Sequence, residues 1–404
     1  MRVQRGPWLL RSIDPDLGTH RGLRGPLPRP ALDDLLDLVD ASGLRGRGGA
    51  AFPFATKLRT AANARGRRRH VVVNLSEGEP ASVKDLALTL HQPHLVLDGA
   101  ALVALALGTR EVHLVAPAEH PEATQALTTA LGERRKADRS RRLRWRLHQA
   151  SPRFVAGEAS AVTELIEGRV NLPVTSWQPT AIAGLKGEPT LLSNAETYAQ
   201  LAALALGGSA VPGTAAEPGT RLLSIGEASG TTRVVEVPHG TPWPHVLTAE
   251  ELAGPVLLGG YHGTWAPAGL LDGLTVSHAD LTGAGVGLGA GVVLPLPPGT
   301  CPLRATAGVT RYLARQSAGR CGPCLNGLPE LAMAFDGFLA GGSLDRVERL
   351  IGLVAGRGAC AHPDGTARLV RSALAAFPDE VAAHAADGCG AVDLGTRPIA
   401  VVAR

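Results

Sequence analysis

Aromatic residues, lysine and cysteine are scarce in this sequence, and long apolar runs are absent. Only 14 of the 404 residues are Trp, Tyr or Phe, so the core must be built mainly from aliphatic side chains. The longest nearly apolar segment, residues 95–108, is interrupted by Asp98 and is too short to span a bilayer, so we expect no direct membrane insertion. The five cysteines are odd in number and include a close pair at 321 and 324. This pattern disfavours a disulfide scaffold and favours a metal or redox site.

The remaining composition is that of a packed, soluble chain of two or three domains, with 45% apolar and 19% charged residues. The net charge of +4 comes almost entirely from arginine, because only four of the 40 basic residues are lysine. Two arginine-rich stretches, residues 65–70 and 134–148, lack interleaved aromatics apart from Trp145. We therefore expect solvated surface there and no nucleic-acid partner.

The beginning of the sequence has no apolar stretch of seven or more residues, so it does not read as a secretory signal. We expect a cytoplasmic protein, and peripheral attachment to a membrane complex stays open.

The first half of the chain alternates helical and strand-like apolar patterns, which predicts an α/β sheet. Strands are expected at residues 71–73 and 112–115, and helices at 32–39, 95–107 and 196–206. Residues 212–218 (PGTAAEP) form the first plausible linker.

Beyond the linker, short apolar runs at 222–225, 234–237, 256–258 and 292–294 predict a small β-rich module. The glycine-rich segment 283–291 contains no G-x-G-x-x-G in any register, and we expect a glycine-bearing strand there instead of a nucleotide loop. From residue 305 onward the pattern is helical, with Ser343 as the expected N-cap of one helix, and the paired cysteines lie within this helical part.

One segment that could carry chemistry is the glycine-rich stretch 42–57 (SGLRGRGGAAFPFATK). Its glycines allow backbone N–H groups to approach an anion, with Arg47 and Lys57 supplying positive charge. Gly48 is followed by Gly49 and Ala50, so the stretch is not a Walker A loop. A flexible turn and a phosphate cradle both remain open.

A second segment ends a predicted strand with Asn74, Glu77 and Glu79. Polar groups at the carboxyl edge of a parallel sheet occupy its usual ligand crevice, although a surface acidic turn would look the same. Two further acidic segments, Gly157-Glu158 with Glu164 and Glu167, and residues 189–197, are weak signals alone.

The fifth signal is the C-x-x-C of Cys321 and Cys324, followed by Cys360. Paired cysteines flanked by Gly and Pro at a helix entrance suit a soft metal or an iron–sulfur cluster better than a buried core. A tetrahedral thiolate site needs a fourth ligand, and none lies at the adjacent spacing.

Taken in order, five segments resemble the flavoprotein subunit (F subunit) of bacterial NADH-quinone oxidoreductase, respiratory complex I, and its relatives in hydrogenases and formate dehydrogenases. The segments read SGLRGRGGAAFP, NLSEGEPAS, AGEASA, PTLLSNAET and QSAGRCGPCLNG, and together they cover nearly the whole chain. The resemblance implies three domains: an α/β Rossmann-like FMN domain at 1–212, a ubiquitin-like β-grasp (SLBB) module at 219–296, and a C-terminal helical bundle at 303–390 that holds an iron–sulfur cluster.

The resemblance also implies the residues that contact each cofactor. The FMN contacts fall on Gly46, Arg47, Gly48, Lys57, Asn74, Glu77, Gly157, Glu158, Asn194 and Thr197. Phe52 and Glu79 match positions that contact NADH, and Cys321, Cys324 and Cys360 match three of the four cluster ligands. No catalytic side chain is implied, because the chemistry takes place on the flavin.

The sequence departs from the family pattern at several of these positions. Ser76 replaces the Asp of N-A-D-E, and Ala159 replaces the second Glu of G-E-E. Thr60, and by a looser alignment Ser176 and Pro179, stand where relatives carry an aromatic, a Lys and an aromatic that hold the dinucleotide. The loss of two stacking rings, at roughly 1 kcal/mol each, predicts a weaker affinity for NADH.

Ala318 occupies the first cysteine position of the cluster motif. Three thiolates could hold a [3Fe–4S] cluster, a [4Fe–4S] cluster with His362 or Cys389 as a substitute ligand, or no stable cluster.

The leading hypothesis is an FMN- and iron–sulfur-dependent redox subunit that passes electrons from NADH to a partner such as a [2Fe–2S] subunit or a ferredoxin. The alternatives are a flavoprotein that exchanges electrons with such a partner without NADH, and a structural paralogue with decayed cofactor sites.

Overall fold

The computed structural model describes residues 1–137, 143–207, 210–386 and 389. The strands are β1 (Arg2–Val3), β2 (His70–Asn74), β3 (Glu111–Pro117), β4 (Arg144–Ala150), β5 (Thr190–Asn194), β6 (Thr220–Gly226), β7 (Thr232–Pro238), β8 (Val256–Leu258), β9 (Thr264–Ala266) and β10 (Val292–Pro295). The α-helices are α1 (Leu17–Arg24), α2 (Leu32–Ser42), α3 (Phe54–Asn63), α4 (Lys84–His91), α5 (Pro93–Ala106), α6 (Pro121–Ala137), α7 (Ala159–Ile166), α8 (Ala195–Leu206), α9 (Ala249–Leu252), α10 (His278–Gly283), α11 (Pro302–Arg315), α12 (Leu328–Leu339), α13 (Leu344–Val354), α14 (His362–Ala376) and α15 (Pro378–Ala386). Short 3₁₀ helices lie at Phe154–Gly157, Leu185–Gly187, Trp243–His245 and Leu270–Gly273, and a π-helical turn lies at Pro323–Gly327.

Strands β2 to β5 form a parallel sheet in the order β4-β3-β2-β5. All five residues of β2 (HVVVN) are buried, as expected of a strand covered on both faces. Helices α5 and α8 pack against each other and against β2, because both carry nearly continuous small and aliphatic side chains. The predicted α/β pattern is confirmed: the predicted strands are β2 and β3, and the predicted helices are α2, α5 and α8.

The order of the parallel sheet creates a switch point beside β2. The chain runs outward from β2 to β3 and β4 and then returns to the other side of β2 as β5. Ligands of open parallel sheets bind in the crevice at the carboxyl ends of the strands, where the direction of winding reverses. We therefore expect a ligand to bind in the crevice between the carboxyl ends of β2 and β5.

A second, mixed sheet follows, with strands in the order β1-β7-β6-β10-β8-β9. The four short apolar runs predicted beyond the linker are confirmed as β6, β7, β8 and β10. The N-terminal strand β1 crosses over to join this sheet and pairs in parallel with β7. The two carboxylate oxygens of Glu236 on β7 accept the backbone N–H groups of Trp8, Leu9 and Leu10, which fastens the N-terminal segment to the second sheet.

The prediction of a glycine-bearing strand over residues 283–291 is wrong. The segment starts at the end of α10 and continues as a loop up to β10. Gly285, Gly289 and Gly291 have positive φ, which extended strand backbone does not adopt. A Cβ at Gly289 would lie 2.6 Å from the Cα of Gly259, so this glycine permits close packing of two loops.

The chain from Pro302 onward is helical, and α11 to α14 pack on one another and on β9. The helix predicted after Ser343 is confirmed as α13, and its apolar stripe of Val347, Ile351 and Val354 is buried. Trp265 on β9 donates from Nε1 to Thr306 Oγ1 at 2.9 Å, which joins the second sheet to α11. Among the helices that the structure describes, none is both long and apolar enough to cross a membrane.

Candidate functional site

Two asparagines lie side by side at the switch point of the parallel sheet. Asn74 ends β2 and Asn194 ends β5, and the two residues are directly paired in the register of these strands. Asn74 is held by two neighbours: its Nδ2 donates to Gly157 O at 2.8 Å, and its Oδ1 accepts from Ser76 Oγ at 2.6 Å. The amide of Asn194, by contrast, makes no hydrogen bond within the described part of the chain and is available to a ligand.

The glycine loop reaches this edge of the sheet. A Cβ on Gly48 would lie 2.2 Å from Asn194 Oδ1, so any larger residue at this position would push the asparagine amide aside. The N–H of Arg47 donates to Thr197 Oγ1 at 3.0 Å, at the start of α8. The loop itself is closed by a bond from Gly46 N to Phe52 O at 2.8 Å. Gly48 and the hydroxyl of Thr197 at the start of α8 therefore hold the loop beside the crevice.

The side chain of Arg47 has a structural role in this arrangement. Its guanidinium is buried, donates to Thr220 O at 3.1 Å and lies 3.9 Å from a carboxylate oxygen of Glu196. Burial lowers the pKa of Arg47 to about 10. The resemblance places Arg47 among the FMN contacts, and its backbone lies at the crevice while its charge lies beneath the loop.

Lys57 lies on α3, directly after the glycine loop. Its Nζ donates to Leu192 O on β5, two residues before Asn194. Burial lowers the pKa of Lys57, which means that desolvation disfavours its charged form. An anion bound beside it would restore the lost solvation of the ammonium group.

Glu77 shapes the turn that follows β2. Its φ is +37°, a conformation that side chains other than glycine rarely adopt. Its carboxylate accepts from Ser82 Oγ at 2.6 Å and from Leu86 N at 2.7 Å, in the first turn of α4. Burial, together with the charge of Asp85, raises the pKa of Glu77 to about 6. Such strain is typical of functional turns.

Gly157 and Glu158 complete the edge from the side of β4. A Cβ on Gly157 would lie 2.7 Å from Ser76 Oγ, so a glycine is needed where the two loops meet. Glu158 is the N-cap of α7 and accepts the N–H of Ser160 at 2.9 Å. These contacts bring together all four sheet-edge segments that the motifs predicted.

A buried charge network beneath the site was not predicted from the sequence. Lys84 Nζ lies 2.9 Å from Asp85 Oδ2 and 3.1 Å from Glu196 Oε2, and all three residues are at most 1% exposed. Asp85 also accepts the N–H of Glu196 at 2.9 Å, and Glu196 accepts the N–H of Leu222 on β6 at 3.0 Å. The network therefore connects α4, α8 and the second sheet. Lysine is rare in this chain, and its position beside an acidic residue at the start of a helix was the available signal.

The two residues assigned to NADH lie in different surroundings. Phe52 is 53% exposed at the end of the glycine loop. Glu79 is half-buried, and its Oε2 accepts the N–H of Tyr261 at 2.7 Å. Burial raises the pKa of Glu79 to about 7. Trp177, which lies between Ser176 and Pro179, is 92% exposed and is an aromatic to which the family resemblance does not point.

Cys321, Cys324 and Cys360 come together although the last is separated from the pair by two helices. The electrostatic influence of Cys321 and Cys324 on Cys360 adds to burial, which raises the pKa of the Cys360 thiol to about 11. Burial and the neighbouring Cys321 raise the pKa of the Cys324 thiol, and the backbone N–H groups of Ala318 and Gly319 partly offset this. The charge of Glu158 also contributes to the raised pKa of Cys360, which places this thiol near the start of α7.

A fourth protein ligand for these thiols does not emerge from the described residues. The methyl group of Ala318 offers no donor atom. His362 uses both ring nitrogens elsewhere, with Nε2 at 2.9 Å from Leu313 O and Nδ1 at 3.1 Å from His262 Nε2. Cys389, the other substitute considered, is packed against Cys301. The donor set therefore fits an iron–sulfur cluster with three cysteine ligands.

The comparisons with known proteins agree with this arrangement. The family described as the Nuo51 FMN-binding domain matches residues 39–203. The family described as the NADH-ubiquinone oxidoreductase-F iron-sulfur binding region matches residues 304–384. The first range contains the sheet-edge segments, and the second contains the three cysteines.

Similar whole chains include a NADH-quinone oxidoreductase F subunit of Rhizobium meliloti, the one numbered 2, which is 29% identical over 94% of this chain and 97% of its own length. The NADH-quinone oxidoreductase F subunit of Mycobacterium bovis is 30% identical over 91% of this chain and 88% of its own. Among solved structures, a chain of the air-oxidized NAD+-reducing [NiFe]-hydrogenase superposes with a TM-score of 0.82 at 25% identity, covering 97% of this chain and 69% of that one. The H2-reduced state gives a TM-score of 0.77 at 26% identity, and there this chain spans 62% of the other's length.

Proposed function

The chain belongs to the family of NADH-quinone oxidoreductase F subunits, and from that premise we propose that it passes electrons from NADH, by way of FMN at the switch point and an iron–sulfur cluster, to a partner protein. As a member of this family it is an oxidoreductase subunit. When bound, FMN accepts a hydride and returns its two electrons singly. The protein supplies the binding site, the orientation and the surrounding charge.

The observation that carries the proposal is the meeting of Gly48, Asn74 and Asn194 at the switch point. Asn74 and Asn194 are paired in register, and the backbone of Gly48 lies against the Asn194 amide. In the proposed site, the N–H groups of the glycine loop and the Lys57 ammonium hold the phosphate. Amide and carboxylate groups at the strand ends bind the ribityl hydroxyls and the ring edge. The remaining proposed contacts are Gly46, Arg47, Glu77, Gly157, Glu158 and Thr197.

The proposed cluster ligands are Cys321, Cys324 and Cys360. With alanine at position 318, the cluster is either [3Fe–4S] or a [4Fe–4S] whose fourth iron has a ligand other than these three cysteines. The charge of Glu158, which caps α7 at the flavin edge, contributes to the raised pKa of Cys360, and this supports a short path between the flavin edge and the cluster.

The proposed domain organisation follows the same assignment. Residues 1–212 form the FMN and NADH domain, residues 219–296 a ubiquitin-like β-grasp module of the SLBB type, and residues 303–390 a helical domain that holds the cluster. The mixed sheet and the helices that follow it support these limits, with β1 reaching from the first domain into the sheet of the second.

The electron acceptor that we propose is a separate protein, such as a [2Fe–2S] subunit or a ferredoxin, that docks near the helical domain. The corresponding location is the cytoplasm, with peripheral attachment to a membrane complex through partner subunits.

NADH is proposed to bind near Phe52 and Glu79. A second candidate function, electron exchange with a partner without NADH, is favoured by Thr60 at the position of a family aromatic. Stopped-flow mixing separates the two functions, since NADH bleaches the flavin absorbance only in the first.

The test of the proposal is the cofactor content of anaerobically purified protein, measured by flavin and iron quantitation and by EPR after reduction. We expect one FMN per chain and an EPR signal of an iron–sulfur cluster. The variant Gly48→Ala pushes a Cβ to within 2.2 Å of Asn194 Oδ1 and should lower FMN affinity roughly tenfold or more, about 1.4 kcal/mol.

The matched control is Gly132→Ala, because a Cβ on this helical glycine meets no atom within 4 Å. The control should retain FMN at the level of the unmodified chain. Protein that binds no flavin after reconstitution, or a Gly48→Ala variant that binds FMN as tightly as the control, would contradict the proposed site.

A further inference from the structure

Four side chains with metal-binding atoms meet at the N-terminal end of α11. The ligand atoms of Cys301, Glu380, His384 and Cys389 all lie within 4.8 Å of one another. The proposed iron–sulfur ligand Cys321 lies beyond the other end of α11, and a helix of 14 residues is about 21 Å long. The group is therefore a second cluster of metal ligands, separate from the redox cysteines.

The hydrogen bonding of His384 leaves one ring nitrogen aimed at this group. Its Nδ1 lies 3.2 Å from Leu339 O, an acceptor, so this nitrogen carries the proton. The unprotonated Nε2 then faces Cys301 Sγ at 3.4 Å. A histidine that binds a metal through one nitrogen commonly donates from the other to a backbone carbonyl, which fixes the tautomer and the ring orientation.

Glu380 supplies an unpaired buried oxygen to the same group. Its Oε2 has no accessible surface and no hydrogen-bond partner within the described residues. Glu380 and His384 are four residues apart on α15 and so share one face of the helix. A buried carboxylate oxygen without a partner is costly, and a bound cation would remove that cost.

The position of Cys301 in the fold suits a metal ligand. It is fully buried and is the N-cap of α11, where its Sγ accepts the N–H of Arg304 at 3.4 Å. The N-terminus of a helix favours a thiolate at this position, while burial and the neighbouring Cys389 raise the pKa of the free thiol to about 12, so the thiolate forms when a cation binds. Cys389 follows α15 and brings the second sulfur.

We propose that Cys301, Glu380, His384 and Cys389 bind a single Zn²⁺ ion with tetrahedral coordination. Two thiolates, an imidazole and a carboxylate form a donor set that Zn²⁺ accepts, whereas Mg²⁺ and Ca²⁺ prefer oxygen ligands alone. For Zn–S of about 2.3 Å and Zn–N of about 2.0–2.1 Å, a tetrahedral angle separates sulfur and nitrogen by about 3.6 Å. The observed 3.4 Å between Cys301 Sγ and His384 Nε2 is close to this separation.

The proposed ion has a structural role. With four protein ligands the site is closed, as structural zinc sites are, and it has no open position for a substrate. It links the start of α11 to the last described helix, α15, and the capture of Zn²⁺ releases the thiol protons of the two cysteines. Zn²⁺ has no redox chemistry of its own, so it would not exchange electrons with the flavin or the cluster.

The test is metal analysis of the full chain purified anaerobically and treated with a weak chelator to remove loosely bound ions. We expect about one zinc per chain in addition to the iron. Replacement of the zinc by Co²⁺ should give the intense visible bands of tetrahedral cobalt together with a thiolate-to-cobalt charge-transfer band.

Two cysteine variants, one at each metal site, serve as controls for each other. Cys389→Ser should lower the zinc content at least tenfold while iron and flavin stay unchanged, and Cys321→Ser should lower the iron content while zinc stays. Glu380→Gln keeps the shape of the side chain and should weaken zinc binding with the fold intact by circular dichroism, which covers the case in which a cysteine variant misfolds.

Four outcomes would overturn the proposal. These are a chain that holds no zinc even after loading, zinc that survives in both Cys389→Ser and Glu380→Gln, iron in place of zinc at this site, and a disulfide between Cys301 and Cys389 in the anaerobically purified protein.

Discussion

The buried charge network beneath the cofactor site makes a specific prediction for the variant Lys84→Met. Lys84 is 1% exposed and pairs with Asp85 at 2.9 Å and Glu196 at 3.1 Å. Removal of one partner of a buried ion pair leaves an uncompensated charge and typically costs about 3–5 kcal/mol. Because one lysine here serves two carboxylates, we expect a loss of stability of about that size at pH 7.

The same variant should show a characteristic pH dependence. In the unmodified chain, burial alone would raise the pKa of Glu196, but Lys84 and two buried arginines outweigh burial and hold it below its usual value. Without Lys84 the pKa of Glu196 should rise above its unfolded value, and the pKa of Asp85, which burial already raises, should rise further. A carboxyl group with a raised folded-state pKa destabilises the protein most at high pH and less as pH falls and it becomes protonated. The difference in stability between Lys84→Met and the unmodified chain should therefore shrink between pH 8 and pH 5.

The assay is urea denaturation followed by circular dichroism at pH 5, 6.5 and 8. Lys136→Met is the matched control, because Lys136 is exposed at the end of α6 and its replacement should change stability by less than about 0.5 kcal/mol. The double variant Lys84→Met/Asp85→Asn should recover part of the loss, since it removes one unpaired charge. A Lys84→Met protein as stable as the control, or a deficit that grows as pH falls, would refute the reasoning.

Three further changes test other contacts. Thr197→Val removes the acceptor of the Arg47 N–H bond and should weaken FMN binding by about 1–2 kcal/mol in a fluorescence titration, with little change in iron content. Gly99→Ala places a Cβ 1.9 Å from Tyr198 O between α5 and α8 and should lower the free energy of unfolding by about 1–3 kcal/mol or more in urea. Glu79 has a folded-state pKa of about 7, raised above its unfolded value near 4.5. The stability that its protonated form contributes is therefore fully present below pH 4.5 and is lost as pH rises through 7. In urea titrations, Glu79→Gln should flatten this fall in stability between about pH 5 and 8.

Each of these three has a control and a contradicting result. Thr128→Val alters a hydroxyl that bonds only its own helix, at Thr124 O, and should leave FMN binding unchanged. Gly132→Ala lies in open space and should not destabilise the chain. An unchanged FMN affinity in Thr197→Val, an unchanged midpoint in Gly99→Ala, or a Glu79→Gln profile parallel to that of the unmodified chain would contradict the corresponding contact.

Sequence periodicity was sufficient for the elements that bury one face or both faces. The all-buried run of β2 and the small-residue helix α5 were predicted from local patterns, because burial on all sides requires an apolar or small side chain at nearly every residue. The loop at 283–291 was predicted wrongly, because glycine in a strand and glycine in a tightly packed loop look alike in sequence. Only the positive φ values and the approach to Gly259 distinguish them.

The candidate site shows the same division. The motifs predicted which segments carry the chemistry, including the three cysteines, and pointed to the missing ligand at Ala318. They did not indicate that Asn194 finds no hydrogen-bond partner among the described residues while Asn74 is held on two sides. They also suggested Cys389 as a substitute cluster ligand, whereas its partner is Cys301. Each of these facts depends on contacts between residues far apart in the chain.

By itself the sequence determined the order of the elements, the family and the types of cofactor, because glycine, cysteine and asparagine at fixed spacings carry their chemistry locally. The tertiary structure decided which of these groups meet. The register of β2 against β5 aligns the two asparagines, a buried lysine couples two helices, and the fold of the helical unit places Cys301 beside His384. The physical reason is that pairing across a sheet and packing between helices bring together residues of any sequence separation, and no local pattern encodes which partners they will be.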